Sequence, residues 1–382
     1  MVIILKLKDL LLKFLLEWKL LVLLLPFGNP CYTQKVFVSY YQKSNKLKER
    51  FEGFVDKNDT IKDGIYRIYH KNDSLWQVGA FKKNQLVGPW LDYYPNGKLK
   101  QKLIFKDGLL SDTSYSYYES GGIYQVNHYH NDSLVGRGVT YYENGNIMHE
   151  NFYEKNLKNG LQKSYYKNGN IKERYHSKDG LNFGKHISFY KNVPNQIQRV
   201  CNYNFSGLDG EMIGYYESGN KMNESVFINN TISGFYREYH DSSKILLSFE
   251  GEYINGKKVG LWKKYYSNSA IYILGEYVSD QKNGEWVVYY HNGELKQKGN
   301  YNKDREFGKW LFYGGGGELN QVGFYLNGKR TGQWNGYYSE GKIKSICFYQ
   351  SGKRNGMAYG YDENGELKEI AFYVDDVIYY AN

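Results

Sequence analysis

From Ile65 onward the apolar residues recur in a fixed order, and the order repeats every 24 residues. Gln333–Gly356 reads QWNGYYSEGKIKSICFYQSGKRNG, Lys309–Gly332 reads KWLFYGGGGELNQVGFYLNGKRTG, and Glu285–Gly308 reads EWVVYYHNGELKQKGNYNKDREFG. Positions within a repeat are counted from the residue after its closing glycine. The fifth position is aromatic in every repeat, from Tyr69 and Tyr93 through Phe189 to Tyr337 and Tyr361. The eleventh is aliphatic, as in Leu75, Ile123, Ile245, Ile271 and Leu367. The seventeenth is aromatic, as in Phe81, Tyr253, Tyr277 and Tyr349, with Ser177 the departure. Short apolar runs of this kind, bounded by turn residues, mark half-buried strands. A fixed period marks an array in which each repeat packs on its neighbours. Repeats ending at Gly210 and Gly260 have 26 residues, and about thirteen repeats fill residues 65–380. Residues 34–64 read as a lead-in with a partial repeat.

Each repeat predicts a hairpin, because Asn-Gly between apolar runs (Asn96-Gly97, Asn144-Gly145, Asn364-Gly365) is a strong hairpin signal. A two-residue turn would set position five against twelve, which is mostly polar. A three-residue loop with its glycine in the left-handed region sets five against the aliphatic eleven. Pro95-Asn96-Gly97 suits the longer loop, since proline presets a type I turn. Positions five, eleven and seventeen are then expected to share one face. The opposite face is expected to carry Trp262, Trp286, Trp310 and Trp334 at position two with Tyr266, Tyr290 and Tyr338 at position six, either as an exposed ladder or as a second core row covered by loops or by the curl of the sheet. Position fifteen is often small (Gly79, Gly251, Gly275, Gly299, Gly323, Cys201, Cys347), and a strand glycine is tolerated where an aromatic ring packs over its bare backbone. The expected fold class is all-β: an elongated antiparallel repeat sheet, or solenoid, of successive β-hairpins in 24-residue units.

The first 33 residues differ from the rest. Leu20–Leu25 is an unbroken apolar run with Lys19 before it and Pro26, Cys31 and Thr33 after it. A basic flank, a short apolar core and small residues describe a signal peptide, so residues 1–33 are expected to direct export to the periplasm or cell surface, with a lipid anchor at Cys31 as the lesser alternative. Lys13, Glu17 and Lys19 interrupt the longer apolar stretch and argue against a spanning helix. The net charge of +10 is spread along the chain and interleaved with acids. A nucleic-acid binder would concentrate it in a stripe, so no nucleic acid is expected. Cys201 and Cys347 lie six repeats apart at equivalent positions, too far for a disulfide, and are expected to be unpaired core thiols.

With these residues in view, the repeat GxWxxYYxNGxLKxxxxYxxGxxxG resembles the MORN repeat. More closely it resembles the bacterial variant of YwqK-family toxin–antitoxin antitoxins. The resemblance covers residues 65–380 and is clearest in Leu261–Gly284, Glu285–Gly308 and Gln333–Gly356. It implies an antiparallel sheet of MORN-like hairpins and a partner-neutralising role, and by analogy with other MORN proteins a membrane or scaffolding one.

No catalytic motif emerges: there is no GxSxG elbow, HExxH, Walker loop or CxxC. Gly314–Gly317 stands where the hairpin turn belongs and precedes a strand, so it reads as a slack turn and not a phosphate cradle. His128 and His130 share a strand face without further ligands in register. No catalytic residue, metal site or cofactor is expected. The expected function is non-catalytic protein binding or scaffolding outside the cytoplasm, through an exposed ladder of Trp262, Trp286, Trp310, Trp334, Tyr266, Tyr290 and Tyr338. A glycan or a membrane surface is the alternative partner, and an antitoxin-like neutraliser the alternative role.

Overall fold

The computed structural model describes residues 33–42 and 44–381. The expected signal peptide, save its last residue, and the alternative anchor at Cys31 lie outside the described residues. Among the described residues every regular element is a strand, 31 in all. They fall into two compact units, one ending at Lys98 and including Phe105–Gly108, the other comprising Leu99–Ile104 and the chain from Leu109 onward. In the first, Lys35–Tyr40, Leu47–Asp56, Asp59–Tyr69, Leu75–Lys82 and Gln85–Tyr93 pair in chain order, all antiparallel. In the second the same antiparallel hairpin pairing recurs up to Val377–Ala381. The expected all-β array of antiparallel hairpins is what the chain forms.

The repeat Leu261–Gly284 shows how. Strand Lys257–Tyr265 turns into Ile271–Val278. Tyr266 N–H donates to Ala270 O (2.8 Å), Ser269 N–H donates to Tyr266 O (3.0 Å), and Ser269 takes a φ of 68°. This is the three-residue loop, and it sets Tyr265 opposite Ile271 as expected. Gly314–Gly317 closes the same loop, with Gly317 N–H donating to Gly314 O (3.1 Å). In the 26-residue repeat ending at Gly260 the two added residues enlarge this loop. Tyr239 therefore pairs with Leu247, and Ile245, expected at the eleventh position, is a loop residue 78% exposed. The other turn has two residues with positive φ, such as Ser279 (49°) and Asp280 (70°), the arrangement that matches strand twist; Phe205-Ser206 is the departure.

One expectation about the faces fails, for a local reason. Tyr265 pairs with Ile271 but Lys264 pairs with Ile273, so Tyr272 is an extra residue, a bulge. A one-residue slip sends the remainder of the strand to the other face. Position seventeen therefore lies with position two, and position five lies on the opposite side.

Side chains fasten neighbouring repeats at both edges. At the three-residue loops the position-six hydroxyl donates to the position-five carbonyl of the next repeat: Tyr118 to Tyr141 (2.7 Å), Tyr142 to Tyr165 (2.9 Å), Tyr216 to Tyr239 (2.9 Å). At the two-residue turns an Asp or Asn at position twenty grips position twenty-two of the preceding repeat. Lys258 N–H donates to Asp280 Oδ1 (2.8 Å), and Asp280 N–H donates to Lys258 O (3.0 Å). Asn156 holds Leu134 and Asn230 holds Leu208 in the same way.

The face bearing position five is an ion ladder. Glu150 accepts from Arg137 Nε (2.6 Å), Lys163 Nζ (3.2 Å) and the Tyr165 hydroxyl (3.3 Å). Glu224 accepts from Lys221, Arg237 and Tyr239, and Glu250 from Tyr265 (2.6 Å). Burial alone would raise the Glu150 and Glu224 carboxyls, but these donors outweigh it and hold both below the ordinary range. On the opposite face, beside position two, Glu173 is held at about 2 against an ordinary 4.5, chiefly by His186, whose Nε2 lies 3.1 Å away, and against the opposing effect of burial.

Two predictions follow from this frame. A carboxyl whose folded-state value is depressed contributes stability above its unfolded value and loses it as pH falls towards the folded one. The unfolding temperature, followed by circular dichroism, is therefore expected to drop between about pH 4.5 and about pH 2, and Glu173→Gln is expected to flatten that slope. Gly314 stands where other repeats carry the tyrosine fastener, and the nearest atoms a Cβ there would meet belong to the flexible carboxylate of Glu318, which must swing aside. Gly314→Tyr is expected to reach the Tyr337 carbonyl and to stabilise by ~1 kcal/mol, read as a raised thermal midpoint.

Candidate binding face

The face bearing positions two and seventeen is built around bare backbone. Trp262, Trp286, Trp310 and Trp334 pack flat over Gly251, Gly275, Gly299 and Gly323 of the preceding repeats. Any Cβ at these glycines would fall inside the indole. In the first compact unit Trp90 lies over Gly79 in the same way. The rings are flanked by position-seventeen tyrosines of two repeats. From Tyr253 through Trp262, Tyr277, Trp286, Tyr301, Trp310, Tyr325 and Trp334 to Tyr349, successive centroids are 5.1–6.0 Å apart at 66–88°. Edge-to-face geometry sets the positive ring edge against the negative ring face, and each such pair adds ~0.5–1.5 kcal/mol beyond burial.

The closing glycine makes this packing possible. Gly275 pairs with Trp286 but Glu276 pairs with Asn283, so Gly284 and Glu285 bulge out, Gly284 at a φ of 70°. Beside the bulge, the Trp286 indole N–H donates to the Glu276 carbonyl (3.2 Å). Trp310 and Trp334 donate to Asn300 O and Phe324 O in the same manner. At position two of an earlier repeat Gln162 substitutes for tryptophan, and its amide donates to Phe152 O (3.1 Å).

Cations close the rings from above. Lys258 and Lys282 each hold Nζ 4.6 Å from the centroids of Trp262 and Trp286, and Arg330 holds Cζ 4.2 Å from that of Trp334. With glycine below and tyrosines beside them, and a cation above all but Trp310, Trp262, Trp286, Trp310 and Trp334 are only 2%, 7%, 3% and 1% exposed. The expectation of an exposed tryptophan row is thus corrected: the indoles are core. Tyr266, Tyr290 and Tyr338 are half-buried and fastened, donating to Tyr289 O (2.9 Å), Tyr313 O (2.9 Å) and Tyr361 O (2.7 Å). What this face offers to solvent is the layer above the rings. It consists of Lys258, Lys282 and Arg330 at position twenty-two, and of the exposed Lys296 and Lys344 over the Tyr290 and Tyr338 rings (5.4 and 5.5 Å).

Among the described residues none of these five cations has a carboxylate within ion-pair distance. The acidic exception in the row is Glu306, which stands at position twenty-two and accepts from the Tyr301 hydroxyl (3.4 Å). Burial first, and Glu306 second, push the Tyr301 hydroxyl up to about 12. A hollow of about 220 Å³ opens between Lys282 and Lys296, walled by Tyr272, Ile273, Gln297 and Tyr301. The other face carries its cations paired to Glu150, Glu224 and Glu250, so the two faces differ in charge as well as in packing.

The sequence reading missed the position-twenty-two cations as part of this face. A signal for the packing was present: each tryptophan at position two follows, eleven residues earlier, a glycine at position fifteen. Where position two is Met212 or Ala358, the residue across is Cys201 or Cys347. Both cysteines are free, Cys201 buried and Cys347 half-buried, and burial raises both thiols.

Seven segments of this chain match the MORN repeat variant. They are residues 86–107, 134–155, 158–179, 208–229, 282–303, 330–351 and 354–375. Every match opens two residues before a closing glycine, so the MORN-variant period and the structural period are in register. No curated protein matches the chain. Among solved structures, the crystal structure of TcdB2-TccC3 aligns at 10% identity over 90% of this chain and 22% of its own, with a TM-score of 0.17. That of TcdB2-TccC3-Cdc42 aligns at 9% identity over 89% and 25%, with a TM-score of 0.16. This chain thus spans about a quarter of those structures or less, and superpositions this poor carry no argument.

The ring–glycine contact yields a prediction. Trp286→Ala is expected to cost ~3–5 kcal/mol and Gly275→Ala ~1–3 kcal/mol. The double variant is expected to cost about as much as Trp286→Ala alone, because the new methyl then occupies the space the indole left. Urea unfolding followed by circular dichroism reads all three, and strict additivity would refute the contact.

Proposed function

We propose that this chain is a non-catalytic repeat protein that binds or scaffolds a protein partner outside the cytoplasm, through the cationic layer over its aromatic face. The observation that carries the reading is the row of cations without an ion-pair partner, one in each of five successive repeats (Lys258, Lys282, Lys296, Arg330 and Lys344), set on a stiff support of interlocked rings. Charges that cap rings but have no internal carboxylate remain available to an external one, and a rigid support lowers the ordering cost of binding. The MORN-variant match supports a repeat-based binding or scaffold role. The basic and apolar character of residues 1–33 supports export.

Affinity capture from the native source tests it. The intact chain is expected to retain a protein that the variant Lys296→Glu with Lys344→Glu, folded by circular dichroism, does not. Identical captured sets would overturn the reading, and a captured protein that is toxic when expressed alone would redirect it to the antitoxin-like role. Terminal sequencing of the protein recovered from cell fractions is expected to give a mature start near Gln34, and an uncleaved cytoplasmic chain would remove the exported location.

A further inference from the structure

The spacing of the cation row narrows the partner, granted the binding reading above. Lys258, Lys282, Glu306 and Arg330 occupy the same position in four successive repeats, so the row reads positive, positive, negative, positive. One repeat is two strands, so the sites advance by ~10 Å each. An extended polyproline-type segment advances ~9.3 Å per three residues and returns every third side chain to the same side. The two periods differ by under ~1 Å per step, a mismatch that lysine and arginine side chains absorb across four sites. Such a segment carries little conformational entropy to lose, and half-buried aromatic rings are the surface it docks on. Tyr272 and Tyr301 supply such rings beside the hollow at Lys282 and Lys296, which has room for one carboxylate-bearing side chain.

We propose that this face takes an extended acidic segment of a partner protein, read at three residues per repeat, with carboxylates against Lys258, Lys282 and Arg330 and a neutral or basic residue against Glu306. Free carboxylates on the segment replace the acids that this row lacks. Glu306 sets the register, because a carboxylate opposite it would meet like charge.

Two fluorescent peptides of about fourteen residues test the proposal by anisotropy against the full chain. One carries glutamate at every third residue, except lysine at the third such site, with proline and alanine between. The other contains the same residues with the charged ones contiguous. The spaced peptide is expected to bind roughly tenfold more tightly, and Lys282→Gln or Arg330→Gln to weaken it several-fold. Glu306→Lys is expected to shift preference towards a spaced peptide with glutamate at all four sites. Equal binding of spaced and contiguous peptides, or no binding of either, overturns the proposal. So does a polyuronate that binds with the same variant dependence while the peptides are not discriminated, which would make the ligand an anionic glycan. Partner capture that is lost in the Lys296→Glu, Lys344→Glu variant while both peptides fail would leave the binding function standing and remove only the acidic segment.

Discussion

An indole lying on a residue that has no side chain is the contact on which the array depends. A hairpin of this length cannot bury its own aromatic face, and a single sheet has no second layer to cover it. The chain meets this by letting each tryptophan reach back over the preceding repeat, where glycine exposes the peptide plane, while tyrosines of both repeats close in from the sides. The stabilisation is lateral. It runs along the face instead of through a core, and every large ring is counted in two neighbouring repeats. The bulge at the closing glycine belongs to the same device, because it lies where the indole N–H meets the neighbouring strand's carbonyl.

Much of this was legible in the order of residues. The period, the three-residue loop and the pairing of Tyr265 with Ile271 follow from Asn-Gly placement and from the aliphatic residue six positions beyond each aromatic one. The facing of the strands was not legible, because alternation was carried across a bulge that the pattern does not announce. Tyr272 is one residue, yet it moves Tyr277 to the side of Trp286 and away from Tyr265. Exposure misled for a related reason. A tryptophan recurring at one position looks like a presented surface until the glycine eleven residues earlier is read as its seat. The Lys296 and Lys344 charges were visible as composition, but their lack of acidic partners is a property of the folded face.

The two faces divide labour by how they treat charge. Where acids sit at position fourteen, as with Glu150, Glu224 and Glu250, the bases around them are consumed internally and work as fasteners. Where position fifteen is glycine and position two is tryptophan, the bases lie over rings and stay unspent. Earlier repeats with Ser114, Gln162 and Ser225 on the aromatic side are polar inside and have no indole for a cation to cap; there Lys158 lies over Tyr175 at 6.0 Å instead. The cationic layer is therefore concentrated in the later repeats, and position along the chain itself becomes a determinant of what can dock.

The two turn edges differ in one further respect. Repeats ending at Gly210 and Gly260 both take their additional residues into the three-residue loop and keep the pairing on either side of it. The opposite turn has no such slack, since its Asp or Asn must reach back to a set peptide group in the repeat before. Lengthening is thus absorbed along one margin alone. That margin is where such a scaffold can acquire new protrusions during evolution, or accept them from an engineer, while the other keeps the count of repeats in step.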